Sequence, residues 1–176
     1  LFRPFGLTGS NINDLINIIS GESGKQLFTQ THRIIKHRGT IIITESISHT
    51  DTRYTINSIA DFKTIPFVIS ARIESIKSGF SISGDPCTAF IDTNMVSYPI
   101  TIRSWQPGDF FYPLGMINKK KLSDYLTDRK LSRPEKEKTM VLEIEGKIAW
   151  VIGNRIDNRF RISGKTKEAL IIETKG

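Results

Sequence analysis

Thiol chemistry has almost nothing to work with in this sequence: its one cysteine is Cys87. An intrachain disulfide is therefore excluded, and so is a cysteine-based zinc site. Histidine is nearly as scarce. His32, His37 and His49 are the three present, and none forms a His-x-x-x-His pair, so no metal is expected. Long apolar runs are missing too, and no stretch approaches the ~20 residues that a membrane-spanning helix needs. Phosphate-binding loops are also lacking, since Gly6, Gly9, Gly21 and Gly24 fit neither Gly-x-x-x-x-Gly-Lys-Ser/Thr nor Gly-x-Gly-x-x-Gly. Gly21-Glu22-Ser23-Gly24-Lys25 resembles such a turn superficially, but it follows a helix and precedes a strand, the reverse of the required order. There is no Gly-x-Ser-x-Gly elbow. Cys87 follows Pro86 in an apolar β context without a neighbouring base, and it reads as a structural thiol. No self-contained active site emerges, and no catalytic residue is assigned.

What is present suits a folded chain. Its 176 residues are 38% apolar and 24% charged, enough for one domain or a domain with an appendage. The chain begins at Leu1 with no basic segment followed by an apolar one, so it reads as a piece of a longer cytoplasmic protein. The net charge is +7, and it is unevenly spread. Residues 1–100 hold 9 Lys+Arg against 8 Asp+Glu, whereas residues 101–176 hold 16 against 10. Between 119 and 138 there are eight bases and four acids. One reading is a solvated helical face in which Asp124 and Asp128 meet Arg129 and Lys130. The other is a surface for phosphates, where each contact releases counterions.

Periodicity assigns the elements. Ile12, Leu15, Ile16 and Ile19 follow the i, i+3, i+4, i+7 spacing of a helix face, with Ser10 or Asn11 as N-cap and Gly21 at its end. After Lys25 the period becomes 2. Strands are expected at 26–30, 33–36, 54–59, 67–76, 80–83, 88–92 and 98–105, and a buried β-branched one at 40–44. Leu122, Tyr125 and Leu126 share one face of a short helix, and Pro134-Glu135 suits the first turn of another. Strands at 141–143 and 148–152 flank Glu145-Gly146, a hairpin signal, and 169–173 forms the last. One helix, many strands, two short helices and more strands argue for α+β or mainly β architecture.

One stretch is more specific than composition. It reads Arg103-Ser104-Trp105-Gln106-Pro107-Gly108-Asp109-Phe110-Phe111-Tyr112-Pro113-Leu114-Gly115-Met116. It continues as Lys120-Lys121-Leu122-Ser123-Asp124-Tyr125-Leu126-Thr127-Asp128-Arg129-Lys130 and then Trp150-Val151-Ile152-Gly153-Asn154-Arg155-Ile156-Asp157. In order and spacing this resembles the C-terminal domain of the bacterial tRNA(Ile)-lysidine synthase family over roughly residues 100–173. Ser23-Gly24-Lys25, Thr31-His32-Arg33 and Arg38-Gly39-Thr40 resemble the family's segment just upstream. Two departures stand out. Leu131-Ser132-Arg133 replaces a common Val-Pro-Arg, and Lys136-Glu137 replaces a common Arg-Asp.

The resemblance implies a β-sandwich-like domain with short added helices, similar to a piece of the phenylalanyl-tRNA synthetase β subunit and preceded by a remnant of a helical domain. Residues 1–26 would end that helical linker domain, 27–99 would form the β-rich portion, and 100–176 the basic motif region. It implies an enzyme that uses ATP, with magnesium, to adenylate the wobble cytidine of an isoleucine tRNA before lysine displaces AMP. The Ser-Gly-Gly-x-Asp-Ser loop that binds ATP in the family is absent from this chain, so no cofactor is expected here. The implied partner is tRNA, held on its acceptor-stem side. Lys119, Lys120, Lys121, Arg129, Lys130 and Arg133 are the expected phosphate contacts, followed by Arg103, Arg155 and Arg159. Gly108, Pro113 and Gly115 are expected to shape the backbone, and Asp109, Asp124 and Asp128 to orient the bases or form structural salt bridges. The competing reading is a protein-interaction or dimerisation domain whose basic face is merely solvated. Homodimerisation is left open.

Overall fold

In the computed structural model, residues 3–46, 52–77 and 79–175 are described, and His49 lies outside them. The chain divides into two compact units, one of residues 1–50 and 130–137, the other of residues 51–129 and 138–176.

The first unit pairs one helix with one small sheet. Strands β1 (Gln26–Phe28), β2 (His32–His37) and β3 (Thr40–Glu45) form an antiparallel sheet with β2 in the middle. Helix α1 (Ile12–Ile19) packs Leu15 with Leu7 and Ile34, and Leu27, Ile41 and Ile43 complete this small core. Three expectations need correction here. The expected inner face of α1 was Ile12, Leu15, Ile16 and Ile19, but Leu15 and Ile18 are the buried pair and the other three are about half exposed. The helix has only two turns and meets the sheet along a narrow line, so an apolar stripe alone could not say which edge faced inward. Neither Ser10 nor Asn11 caps α1 with its side chain. Instead the Thr8 N–H donates to Asn11 Oδ1 at 3.2 Å across the short 3-10 turn Gly9–Asn11 that precedes it. Likewise β3 is only partly buried, because it is an edge strand with a single neighbour.

The second unit is a two-sheet sandwich. Its strands are β4 (Arg53–Ile56), β5 (Val68–Ser75), β6 (Thr88–Asp92), β7 (Ile100–Ser104), β8 (Phe110–Phe111), β9 (Lys120–Lys121), β10 (Met140–Ile144), β11 (Lys147–Val151), β12 (Arg155–Ile156) and β13 (Glu168–Thr174). One sheet runs β12-β11-β10-β7-β4, the other β5-β13-β6, and β8 pairs with β9. Register decides which side chains meet. In the first sheet Ile102 opposes Leu142 and Tyr54, and Ile100 opposes Ile144 and Ile56. In the second, Leu170 opposes Ile73 and Ile91, while Ile172 opposes Ala71 and Ala89. Ile56, Ile100, Ile102, Leu142 and Trp150 from one sheet and Ala89, Ile91, Leu170 and Ile172 from the other share one buried core. This is the alternation expected of facing sheets.

β13 is apolar on both faces, since Ala169 and Ile171 pack on its far side with Phe90, Phe80 and Ile162. That explains another difference. The strand expected at 80–83 is absent, because Phe80 contributes a ring set edge-to-face on Phe90, 5.9 Å away, and not a ladder. The expected strand at 54–59 stops at Ile56. There Asp61 accepts from the N–H groups of Asn57 and Ser58 at 2.8 and 3.0 Å and opens the 3-10 turn Ile59–Thr64. Glu145 and Gly146 both take positive φ, 50° and 71°, which suits the two-residue hairpin between β10 and β11.

Candidate nucleic-acid interface

The residues that carry the family pattern begin where β7 ends. Arg103 is 10% exposed, and its guanidinium is shared by two carboxylates. Nη1 and Nη2 donate to Asp109 at 2.8 and 2.9 Å, and Nε and Nη2 donate to Glu143 at 2.9 and 2.7 Å. The hydrogen bonds to Asp109 lead in holding Arg103 more firmly protonated than usual, with those to Glu143 adding to them. Asp109 is thereby fixed, and its Oδ2 also accepts from the Gln106 N–H at 2.8 Å. This closes the turn through Pro107 and Gly108, where Gly108 sits at φ 98°. Arg103, one of the expected phosphate contacts, thus braces the turn with a guanidinium already shared by two carboxylates. Its side chain has no free edge to offer.

The next stretch is clamped from the segment that follows β12. Asp157 is fully buried and accepts from the Tyr112 N–H at 2.8 Å. It also accepts from the Arg159 N–H at 2.8 Å and from the Arg159 guanidinium at 2.9 and 2.8 Å. Pro113 bridges to Asp157, the Leu114 N–H donates to the Ile156 carbonyl at 3.0 Å, and the Gly115 N–H donates to Asn158 Oδ1 at 3.2 Å. Gly115, at φ 88°, turns the chain there. Gly108 and Gly115 thus sit at positive φ where the chain turns, and Pro113 sits in the bridge to Asp157. Arg159 lies 4.5 Å over the Tyr112 ring while paired with Asp157, so its guanidinium is already engaged.

Helix α2 (Leu122–Asp128) follows, with Leu122, Tyr125 and Leu126 buried as its sequence face predicts. The Tyr125 ring stands edge-to-face on Phe111 at 5.0 Å. Burial pushes its phenol up, while the charges of Arg129, Arg155 and Lys120 pull it the other way. Three cations therefore converge on one tyrosine. They rim an open cleft of about 400 Å³ whose wall includes Pro113, Leu114 and Met116. The three blocks of the pattern supply this one cleft: Pro113–Met116 from the first, Lys120, Tyr125, Asp128 and Arg129 from the second, and Arg155 from the third.

The expected phosphate contacts separate into groups. Lys119 and Lys121 are exposed, and Lys119 Nζ lies 5.2 Å over the Phe110 ring. Lys120 is 27% exposed and pairs with Asp128 at 2.5 Å. Asp128 therefore meets Lys120 and not Arg129 or Lys130, and Asp124 accepts from the Ser123 hydroxyl at 3.3 Å. Arg129 is exposed, with no ion pair among the described residues. Arg155 is exposed and donates to the Leu114 carbonyl at 3.1 Å. Lys130 and Arg133 belong to the other compact unit. Lys130 is exposed at φ 62°, and Arg133 pairs with Glu137 at 3.2 Å. Periodicity had no means of finding the cleft-lining roles of Leu114, Met116 and Tyr125; only the conjunction of the three motif blocks hinted at them.

Within the first unit, the two departures from the family pattern acquire partners. Glu137 takes a bidentate bond from Arg33 at 2.6 and 3.0 Å. Ser132 starts α3 (Arg133–Lys138), and Pro134 lies in its first turn. The Ser132 N–H donates to Glu135 Oε2 at 2.6 Å, and the Glu135 N–H faces Ser132 Oγ at 3.5 Å, a reciprocal cap. The Ser132 hydroxyl and then its N–H hold the Glu135 carboxyl below the usual range. A carboxylate with a lowered folded pKa stabilises the fold above its unfolded pKa and loses that contribution as pH falls through the folded value. Ser132→Ala is expected to cost about 1 kcal/mol at pH 7, and the deficit in urea melts should shrink toward pH 3.

No group of three or more metal-ligating side chains occurs among the described residues. His32 and His37 stand at the two ends of β2, where His32 Nδ1 meets Thr31 Oγ1 at 2.8 Å and its ring meets Phe5 edge-on. Cys87 is free and partly buried.

Comparison with known proteins gives two family matches. Residues 1–47 match the family described as TilS substrate binding domain, and residues 100–172 match TilS substrate C-terminal domain. The tRNA(Ile)-lysidine synthase of Parabacteroides distasonis is 35% identical over the whole chain, which spans 40% of that protein. That of Bacteroides thetaiotaomicron is 38% identical over 96% of the chain, which spans 37% of it. The chain thus spans about two fifths of the length of these relatives. A solved structure titled as the crystal structure of TILS C-terminal domain superposes with a TM-score of 0.55 at 17% identity, over 69% of this chain and 95% of that one. This likeness establishes the shared mainly β fold.

Proposed function

Since the chain belongs to the tRNA(Ile)-lysidine synthase family and corresponds to the C-terminal part of its members, we propose that it is the tRNA-holding portion of such a ligase. In the whole enzyme, ATP would activate the wobble cytidine of an isoleucine tRNA and lysine would displace AMP. The chemistry would belong to the remainder of the protein, with ATP, magnesium and lysine bound there. This chain would grip the tRNA body, on its acceptor-stem side, in the cytoplasm.

The observation that carries this reading is the convergence of the three motif blocks on one cation-rimmed cleft. Arg129 and Arg155 on its rim are exposed, as are Lys119 and Lys121 on either side of Lys120 in the chain, and phosphates would occupy such groups without breaking the fold. Lys130 and Arg133 would add contacts from the other unit. Arg103 and Arg159 are already engaged with carboxylates and would act as braces.

The competing reading is a dimerisation or protein-interaction surface. Sedimentation of the chain alone and with tRNA at low salt separates the two. The expected result is a monomer that moves into a faster one-to-one complex when tRNA is added. A stable dimer indifferent to tRNA would favour the competing reading.

A further inference from the structure

The cleft has a shape that duplex recognition does not need. Paired RNA is read across its shallow groove through sugars and phosphates, for which a convex or flat basic surface serves. Here the cations instead rim a concavity of about 400 Å³, within the ~300–1,000 Å³ range of small-molecule pockets. Its wall is apolar at Pro113, Leu114 and Met116, and its buried ring is Tyr125. Three bases face one acid, and that acid, Asp128, is taken by Lys120. The guanidinium groups of Arg129 and Arg155 are left for an anion. Arg155 uses one donor on the Leu114 carbonyl and keeps the others, and that bond also ties it to the cleft wall. An apolar wall beside two available guanidinium groups matches a ligand that is flat and apolar on one part and anionic on another. Unpaired nucleotides carry both parts: a flat base that can lie against an apolar wall, and a phosphate that meets Arg and Lys.

We infer that the cleft between Pro113–Met116 and α2 takes a single unpaired nucleotide of the bound RNA, its base against Leu114 and Met116 and its phosphate on Arg129 and Arg155. This rests on the tRNA-binding reading and names what that surface selects: an RNA end or bulge beside a duplex.

Binding of the chain to two RNA hairpins of identical stem tests it, one blunt and one carrying a three-nucleotide single-stranded overhang. The overhang is expected to raise affinity about tenfold, equivalent to about 1.4 kcal/mol, from apolar contact with the base and the added phosphate contact. Leu114→Ala with Met116→Ala, which removes the apolar wall and leaves every arginine and lysine in place, is expected to abolish that advantage while leaving blunt-hairpin affinity within about threefold. A circular dichroism melt unchanged from the parent chain would confirm that the variant folds. Equal affinity for both hairpins in the parent chain would overturn the inference and leave tRNA binding standing. Failure to bind either hairpin at low salt would overturn the reading beneath it as well. Removal of the overhang advantage by micromolar free AMP would assign the cleft to a free nucleotide, which also overturns the inference.

Discussion

Arg103→Ala is expected to destabilise the chain by about 3–5 kcal/mol, the cost of breaking a desolvated ion pair by removing one partner. Asp109 and Glu143 are 14% and 17% exposed, so each would be left partly buried without its main counter-charge. The loss should appear as a fall of roughly 6–20 °C in melting temperature for a chain of this size. Glu143→Ala should cost less, because Arg103 would keep both bonds to Asp109. Arg103→Lys should fall between, since an ammonium cannot reproduce two paired contacts. If Arg103→Ala melted with the parent chain and lost only RNA affinity, Arg103 would be a contact residue and the bracing role would be wrong.

The second large effect is on affinity. Lys119, Lys121 and Arg129 are exposed, and changing all three to alanine should leave the core untouched. If each neutralises one phosphate, the triple variant should bind tRNA more weakly by a factor on the order of 100 at ~0.1 M salt. The loss should be similar for different tRNA sequences, because phosphate contacts carry no base information. Fluorescence anisotropy with isoleucine and methionine tRNAs measures both quantities. A variant that binds as tightly as the parent would move the phosphate surface elsewhere on the chain.

Much of this arrangement was legible in the residues themselves. The β-branched runs marked most strands, Glu145-Gly146 marked a hairpin, and Leu122, Tyr125 and Leu126 marked the buried face of α2. These signals are local: a strand or a two-residue turn is specified by its own side chains. What escaped was non-local. The inward edge of α1 depends on the sheet beneath it: Leu15 packs with Leu7 and Ile34 from outside the helix, and no spacing within the helix favoured Ile18 over Ile16. Phe80 belonged to no strand because its ring was needed over β13. Charge was the least legible quantity. Arg103, Arg129, Arg155 and Arg159 look alike in a count, yet two are held by buried or half-buried carboxylates and two face the cleft. The family pattern bridged part of this gap, because its aspartates include the groups that hold the arginines: Asp109 for Arg103 and Asp157 for Arg159.

The central claim is that this chain holds RNA through phosphates on the basic surface around the cleft. The most direct test is the affinity of the chain for tRNA measured across a salt series. Log affinity should fall linearly with log salt with a slope of about −4 or steeper, and the triple alanine variant should flatten it by about 3. A slope near zero, or no binding in dilute salt, would contradict the claim.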